Sequence, residues 1–170
     1  MTQKNIVFIG FMGSGKSIIS SKLGEIIGRE VISTDKLIER IQGQTIEQIF
    51  KDSGEAFFRE VEKGAVRHVS KKENVIIDCG GGVVLDEENI KNLRQNGVIV
   101  YLKVSADFAY KQILKTPKRP LLDVDDPKAK IEELLAARTP LYEKADVTVN
   151  SEKESVEEIC QDIIKVIENE

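Results

Sequence analysis

The chain has 170 residues, 41% hydrophobic and 32% charged, with a formal net charge of −4. That usage is ordinary for a chain with a packed core and excludes intrinsic disorder. The acidic balance, with no basic cluster longer than short pairs such as Lys71-Lys72 and Lys118-Arg119, argues against a nucleic-acid partner.

Residues 5–9 form a short apolar run and are expected as the first strand. A Gly-rich stretch follows, and a helix is expected over 16–28. Strands are then expected over 30–33, 74–78, 98–102 and 146–149. Between them the 3.6-residue periodicity predicts helices over 36–42, 46–51, 55–71, 87–95, 106–115, 127–143 and 155–167. Strand–helix alternation implies right-handed crossovers and a parallel sheet. The expected architecture is a three-layer α/β/α sandwich around a five-stranded parallel sheet, with residues 1–170 as one domain. Cys160 falls in the apolar stripe of the last helix, which reads as core packing. His68, the one histidine, sits mid-helix beside Arg67 and reads as a surface or partly buried side chain rather than a catalyst.

No apolar run approaches the ~20 residues that cross a bilayer. The first residues lack the pattern of a signal peptide. The two cysteines, Cys79 and Cys160, are too few and too far apart to indicate a disulfide scaffold or a metal cluster. A cytoplasmic enzyme without membrane contact is expected, with a monomer as the default state.

Gly10-Phe11-Met12-Gly13-Ser14-Gly15-Lys16-Ser17 fits G-x-x-x-x-G-K-[ST] between a strand and a helix, the context this motif requires. Glycines let backbone N–H groups close around phosphates, and the helix N-terminus adds its dipole. The expected phosphate contacts are Gly13, Ser14, Gly15, Lys16, Ser17 and Ile18. Lys16 reaches the β/γ-phosphates of ATP, and Ser17 offers its hydroxyl to Mg²⁺. The guanine-reading Asn-Lys-x-Asp of GTPases is absent. A small-molecule kinase needs an acceptor site, a base or positioning group and cations for the transition state.

Further segments meet those needs. They are Thr34-Asp35, Gly54-Glu55-x-x-Phe58-Arg59-x-x-Glu62, Gly80-Gly81-Gly82, Arg119-Pro120-Leu121-Leu122 and Arg138-Thr139-Pro140-Leu141-Tyr142. Taken with the phosphate loop, in this order and spacing, they make the sequence resemble the shikimate kinases. The resemblance implies ATP-dependent phosphorylation of the shikimate 3-hydroxyl, with Mg²⁺ as cofactor and ATP and shikimate as small-molecule partners. It implies that Arg59 and Arg138, with Gly81 and Gly82, hold the substrate carboxylate. It also implies that Asp35 accepts or directs the hydroxyl proton, and that Arg119 reaches the phosphates from a lid over about 116–127. The substrate-binding helical segment is expected over about 34–62.

Each assignment has a plainer counterpart. Arg59 can pair with Glu55 or Glu62, Arg138 can be solvated, Asp35 can cap a helix, and the lid can be a linker. Among other enzymes, gluconate-like and nucleoside-monophosphate kinases are the rivals. A nucleotide-binding regulatory protein without catalysis is the rival from another class.

The match departs from the family's pattern where an Asp-x-Asp is replaced by Ser33-Thr34-Asp35. The first Asp normally helps hold Mg²⁺, and Asp78, at the end of an apolar strand, is the candidate to supply the missing charge. The alternative for Asp78 is a bond to the Gly-rich backbone. The adenine contacts are not assignable, with the loop at Asn150-Ser151 a weak candidate.

Overall fold

A computed structural model describes residues 4–116, 119–152 and 155–168. Its strands are β1 (Asn5–Ile9), β2 (Val31–Ser33), β3 (Ile76–Asp78), β4 (Gly97–Lys103) and β5 (Val147–Asn150). Its helices are α1 (Lys16–Ile27), α2 (Thr34–Gln42), α3 (Ile46–Val69), α4 (Glu87–Gln95), α5 (Ala106–Ile113), α6 (Pro127–Tyr142) and α7 (Val156–Ile167). Short 3-10 turns cover Val83–Leu85 and Pro120–Leu122. All strand pairs are parallel, in the order β2-β3-β1-β4-β5. The expected sandwich is therefore the observed one.

Side-chain alternation along β1 splits the core into two layers. Val7 and Ile9 pack with Ile38, Phe58, Val66, Leu93 and Tyr142 from α2, α3, α4 and α6. Ile6 and Phe8 pack with Ile19 and Leu23 of α1 and with Ile159, Cys160 and Ile163 of α7. Cys160 is fully buried, as its place in the apolar stripe predicts, and His68 is exposed. Strands covered on both faces carry almost no polar residues, which is why 5–9 and 98–102 read so clearly in the sequence.

The helices expected over 46–51 and 55–71 are the two arms of α3, which meet at a kink where the backbone is not helical. Gly54, at φ 83 and ψ 170, is the joint inside α3. A side chain there would be strained, so the joint needs glycine. The Thr45 hydroxyl accepts from Gln48 N at 3.2 Å and Gln48 returns a bond to Thr45 N at 2.9 Å, a capping box that fixes the start of α3. Helix α2 begins two residues earlier than expected, because Ser33 is its N-cap and accepts from Lys36 N at 3.3 Å.

Candidate active site

Open α/β sheets bind ligands where the carboxyl ends of their strands meet loops, and here β1, β2 and β3 converge there. β1 delivers the Gly-rich loop directly into α1. Gly15 turns the chain at φ 82 and ψ 16, a left-handed conformation that a side chain resists. Lys16 folds back over the loop, and its buried Nζ donates to Gly10 O at 2.8 Å and Phe11 O at 3.1 Å. Burial pulls its pKa down, while Asp78 and Asp35 push it up. Ile18, on the first turn of α1, is largely exposed.

The Ser17 hydroxyl donates to Asp78 Oδ2 at 2.7 Å. Asp78 is also the register partner of Ser33 across β3 and β2. Thr34, fully buried, accepts from Gly80 N at 3.2 Å and donates to Asp78 O at 3.4 Å, tying the start of α2 to the glycine triplet.

With Ser33 as the cap, Asp35 is released from that role. Its Oδ1 is buried and has no hydrogen-bond partner among the described residues. Burial raises its pKa, Asp78 raises it further, and Lys16 and Arg119 work the other way.

The triplet explains itself by close approach. A Cβ on Gly80 would lie 2.7 Å from Asp35 Oδ1. One on Gly81 would lie 3.3 Å from Met12 N and 3.8 Å from Arg138 Nη1, and one on Gly82 would lie 2.4 Å from the Arg59 guanidinium. Each glycine therefore makes room for a different part of the site.

Arg59 donates to Glu62 Oε1 at 2.8 Å and to Glu55 Oε1 at 3.2 Å, so the expected ion pairs both form. They hold the guanidinium in the site rather than away from it. Arg138 is 3% exposed, which rules out a solvated charge. Its guanidinium lies 6.0 Å from the centre of the Phe11 ring. Arg59, Arg138, Asp35, Arg119 and the three glycines all line one cavity of about 80 Å³. Pro120 and Leu121 from the 116–127 segment close one side of it. Residues 117 and 118 of that segment lie outside the described residues.

Three polar residues at the site had no place in the expected binding set, although Glu62 was expected as a possible partner of Arg59. Glu62 is 1% exposed, and burial raises its pKa against the pull of Arg59. Its spacing of three from Arg59 is the signal, since that places both on one helix face. Tyr142, four residues after Arg138, donates its hydroxyl to the Gly81 carbonyl and stacks on Tyr101 at 5.1 Å. Burial lifts its pKa to about 12, so the hydroxyl stays a donor. Thr34 had no signal beyond its place beside Asp35.

A sequence profile described as shikimate kinase matches residues 12–168. The chain belongs to the shikimate kinase family. A shikimate kinase of Caldanaerobacter subterraneus subsp. tengcongensis is 43% identical over 162 residues, covering 95% of each chain. The solved structure of a shikimate kinase from Acinetobacter baumannii in complex with shikimate superposes with a TM-score of 0.95 at 32% identity, covering 99% of this chain and 94% of that one. A gluconokinase from Sinorhizobium meliloti reaches a TM-score of 0.63 at 19% identity over 98% of this chain and 95% of that one, a likeness of fold alone. Membership of the shikimate kinase family accounts for the order of the motifs, from the phosphate loop to Tyr142.

Proposed function

We propose that this chain transfers the γ-phosphoryl of ATP to the 3-hydroxyl of shikimate, using the cavity between the Gly-rich loop and the glycine triplet. The observation that carries the residue assignments is the convergence of Arg59, Arg138 and Asp35 on that single cavity. Two planar guanidinium groups beside backbone N–H donors suit a carboxylate. With the acid anchored there, a ring hydroxyl is presented toward Asp35 and the loop.

Phosphoryl transfer is mostly positioning and charge stabilisation. Gly13, Ser14, Gly15 and Ile18 offer backbone N–H groups to the phosphates. Lys16 exchanges its two loop carbonyls for phosphate oxygens. Asp35, with a raised pKa and an unpartnered oxygen, takes or orients the acceptor proton. Arg119 adds positive charge from a lid over 116–127, and residues 34–62 form the acceptor-binding segment. Glu62 and Tyr142 are positioning residues, the first for Arg59 and the second for Gly81.

Mg²⁺ fits the pair formed by Ser17 and Asp78, two hard oxygen donors 2.7 Å apart beside the loop. No group of three or more metal-ligating His, Cys, Asp or Glu side chains occurs among the described residues. That suits an ion held by one or two protein groups together with phosphates and water. Mg²⁺ would neutralise phosphate charge there. Asp78 lies beside Ser33 in the sheet, so it carries into the site the charge that Ser33 lacks.

We take a monomer as the working unit. No helix among the described residues is long and apolar enough to cross a membrane, and we read the enzyme as cytoplasmic. ADP release in a coupled assay with and without shikimate tests the activity. Release that requires shikimate is expected. Release driven by gluconate or a nucleoside monophosphate, or none with any acceptor, contradicts it.

A further inference from the structure

A larger cavity, of about 430 Å³, lies away from the Gly-rich loop, between α4 and the end of α6. Ile9, Val84, Ile90, Ile99 and Leu141 line its interior. Ile9 of β1 and Ile99 of β4 are among its lining, so the cavity lies against the sheet. That volume lies within the ~300–1,000 Å³ range of small-molecule sites. Its rim carries Lys91, Arg94 and Lys144 with Glu87, and Asp146 stands behind Arg94, so one positive charge is left in excess. Arg94 is held in place by Asp146 at 3.2 Å and by the Lys144 carbonyl at 2.7 Å. Lys144 lies 3.9 Å from Glu87, and Lys91 makes no ion pair among the described residues. Lys91 is therefore the rim cation without a carboxylate beside it among the described residues.

We infer that this cavity is a second ligand site, taking a small apolar acid whose anionic group meets the Lys91–Lys144 rim. The depth of the apolar wall selects a small molecule over a protein surface, and the rim charge selects an acid over a neutral compound. Two elements that wall the cavity also wall the acceptor site. Val84 follows the glycine triplet by two residues, and Leu141 precedes Tyr142, which holds Gly81. An occupant therefore acts on the acceptor end of the enzyme, and its effect appears in the KM for shikimate.

The probes are 1-anilinonaphthalene-8-sulfonate and its neutral relative N-phenyl-1-naphthylamine, titrated by fluorescence against the full chain saturated with ADP and shikimate. Saturable binding of one sulfonate per chain is expected under those conditions. In the Lys91→Glu/Lys144→Glu variant, sulfonate affinity should fall at least tenfold and affinity for the neutral dye less than twofold. Turnover of that variant without dye should match wild type, which shows that it is folded. In the wild type, bound sulfonate should change the shikimate KM at least twofold and leave the ATP KM unchanged. Displacement of the dye by ADP or shikimate, equal effects of the variant on both dyes, or an unchanged shikimate KM would overturn the inference.

Discussion

Ser33 and Asp78 are neighbours in register across β2 and β3, and Asp78 Oδ2 accepts the Ser17 hydroxyl at 2.7 Å. The two positions are adjacent in the sheet, and on the proposed reading the carboxylate missing from one is supplied from the other. Asp78→Asn should raise the half-saturating Mg²⁺ concentration by about 10- to 100-fold. Binding of Mn²⁺ followed by electron paramagnetic resonance should weaken in parallel. The exchange Ser33→Asp/Asp78→Ser should restore much of the loss. A magnesium dependence equal to wild type in Asp78→Asn refutes the role of this carboxylate.

Gly82 is a more selective probe of Arg59 than Arg59 itself. A Cβ there would meet the guanidinium at 2.4 Å, and the far end of a long side chain gives way more easily than backbone. The φ of −95 at Gly82 suits alanine, so the fold should tolerate the change. Gly82→Ala should raise the shikimate KM about tenfold, the scale of one charge-assisted hydrogen bond. Its melting temperature should stay within about 2 °C of wild type. An unaltered KM would show that Arg59 is not held against this glycine during turnover.

Lys16 is buried on two loop carbonyls and is the strongest candidate to follow charge from the γ-phosphate into the transition state. Lys16→Ala should lower kcat on the order of 10²- to 10³-fold. Wild-type turnover in this variant would remove Lys16 from the mechanism.

Asp35 links activity to stability. Burial and Asp78 raise its pKa in the folded chain. An acid whose folded pKa lies above its unfolded value holds its proton more tightly when folded. Its contribution is therefore fully present below the unfolded value of about 4 and is lost as pH rises through the folded value. Asp35→Asn should lower kcat about 10²- to 10⁴-fold and yet raise the melting temperature at pH 7. The gain should vanish in acid, where wild-type Asp35 is protonated. Thermal melts of both proteins from pH 4 to pH 8 check the sign, and a stability difference independent of pH contradicts it.

The parts of this molecule legible in sequence are those set by local pattern. The apolar runs at 5–9 and 98–102 gave their strands away because both faces of the sheet are covered. The Gly-rich loop was legible because phosphate binding dictates both its glycines and its flanking elements. The cap of α2 was not. Ser33 and Asp35 are both good caps, and only the backbone path out of β2 decides between them. The pairing of Glu62 with Arg59 was legible from their spacing, whereas Tyr142 was hidden because its role depends on Gly81, which lies across the cavity. The kink at Gly54 was visible as a gap between two expected helices, and the non-helical backbone of that glycine separates the two arms of α3.

The central claim is that Arg59 and Arg138 jointly hold the carboxylate of the acceptor beside the phosphate loop. Steady-state kinetics of Arg59→Ala and Arg138→Ala, varying shikimate and ATP in turn, test it most directly. Each variant should raise the shikimate KM by about 10- to 100-fold, with the ATP KM within about twofold of wild type. Equal rises in both constants, or none in that for shikimate, would contradict the account.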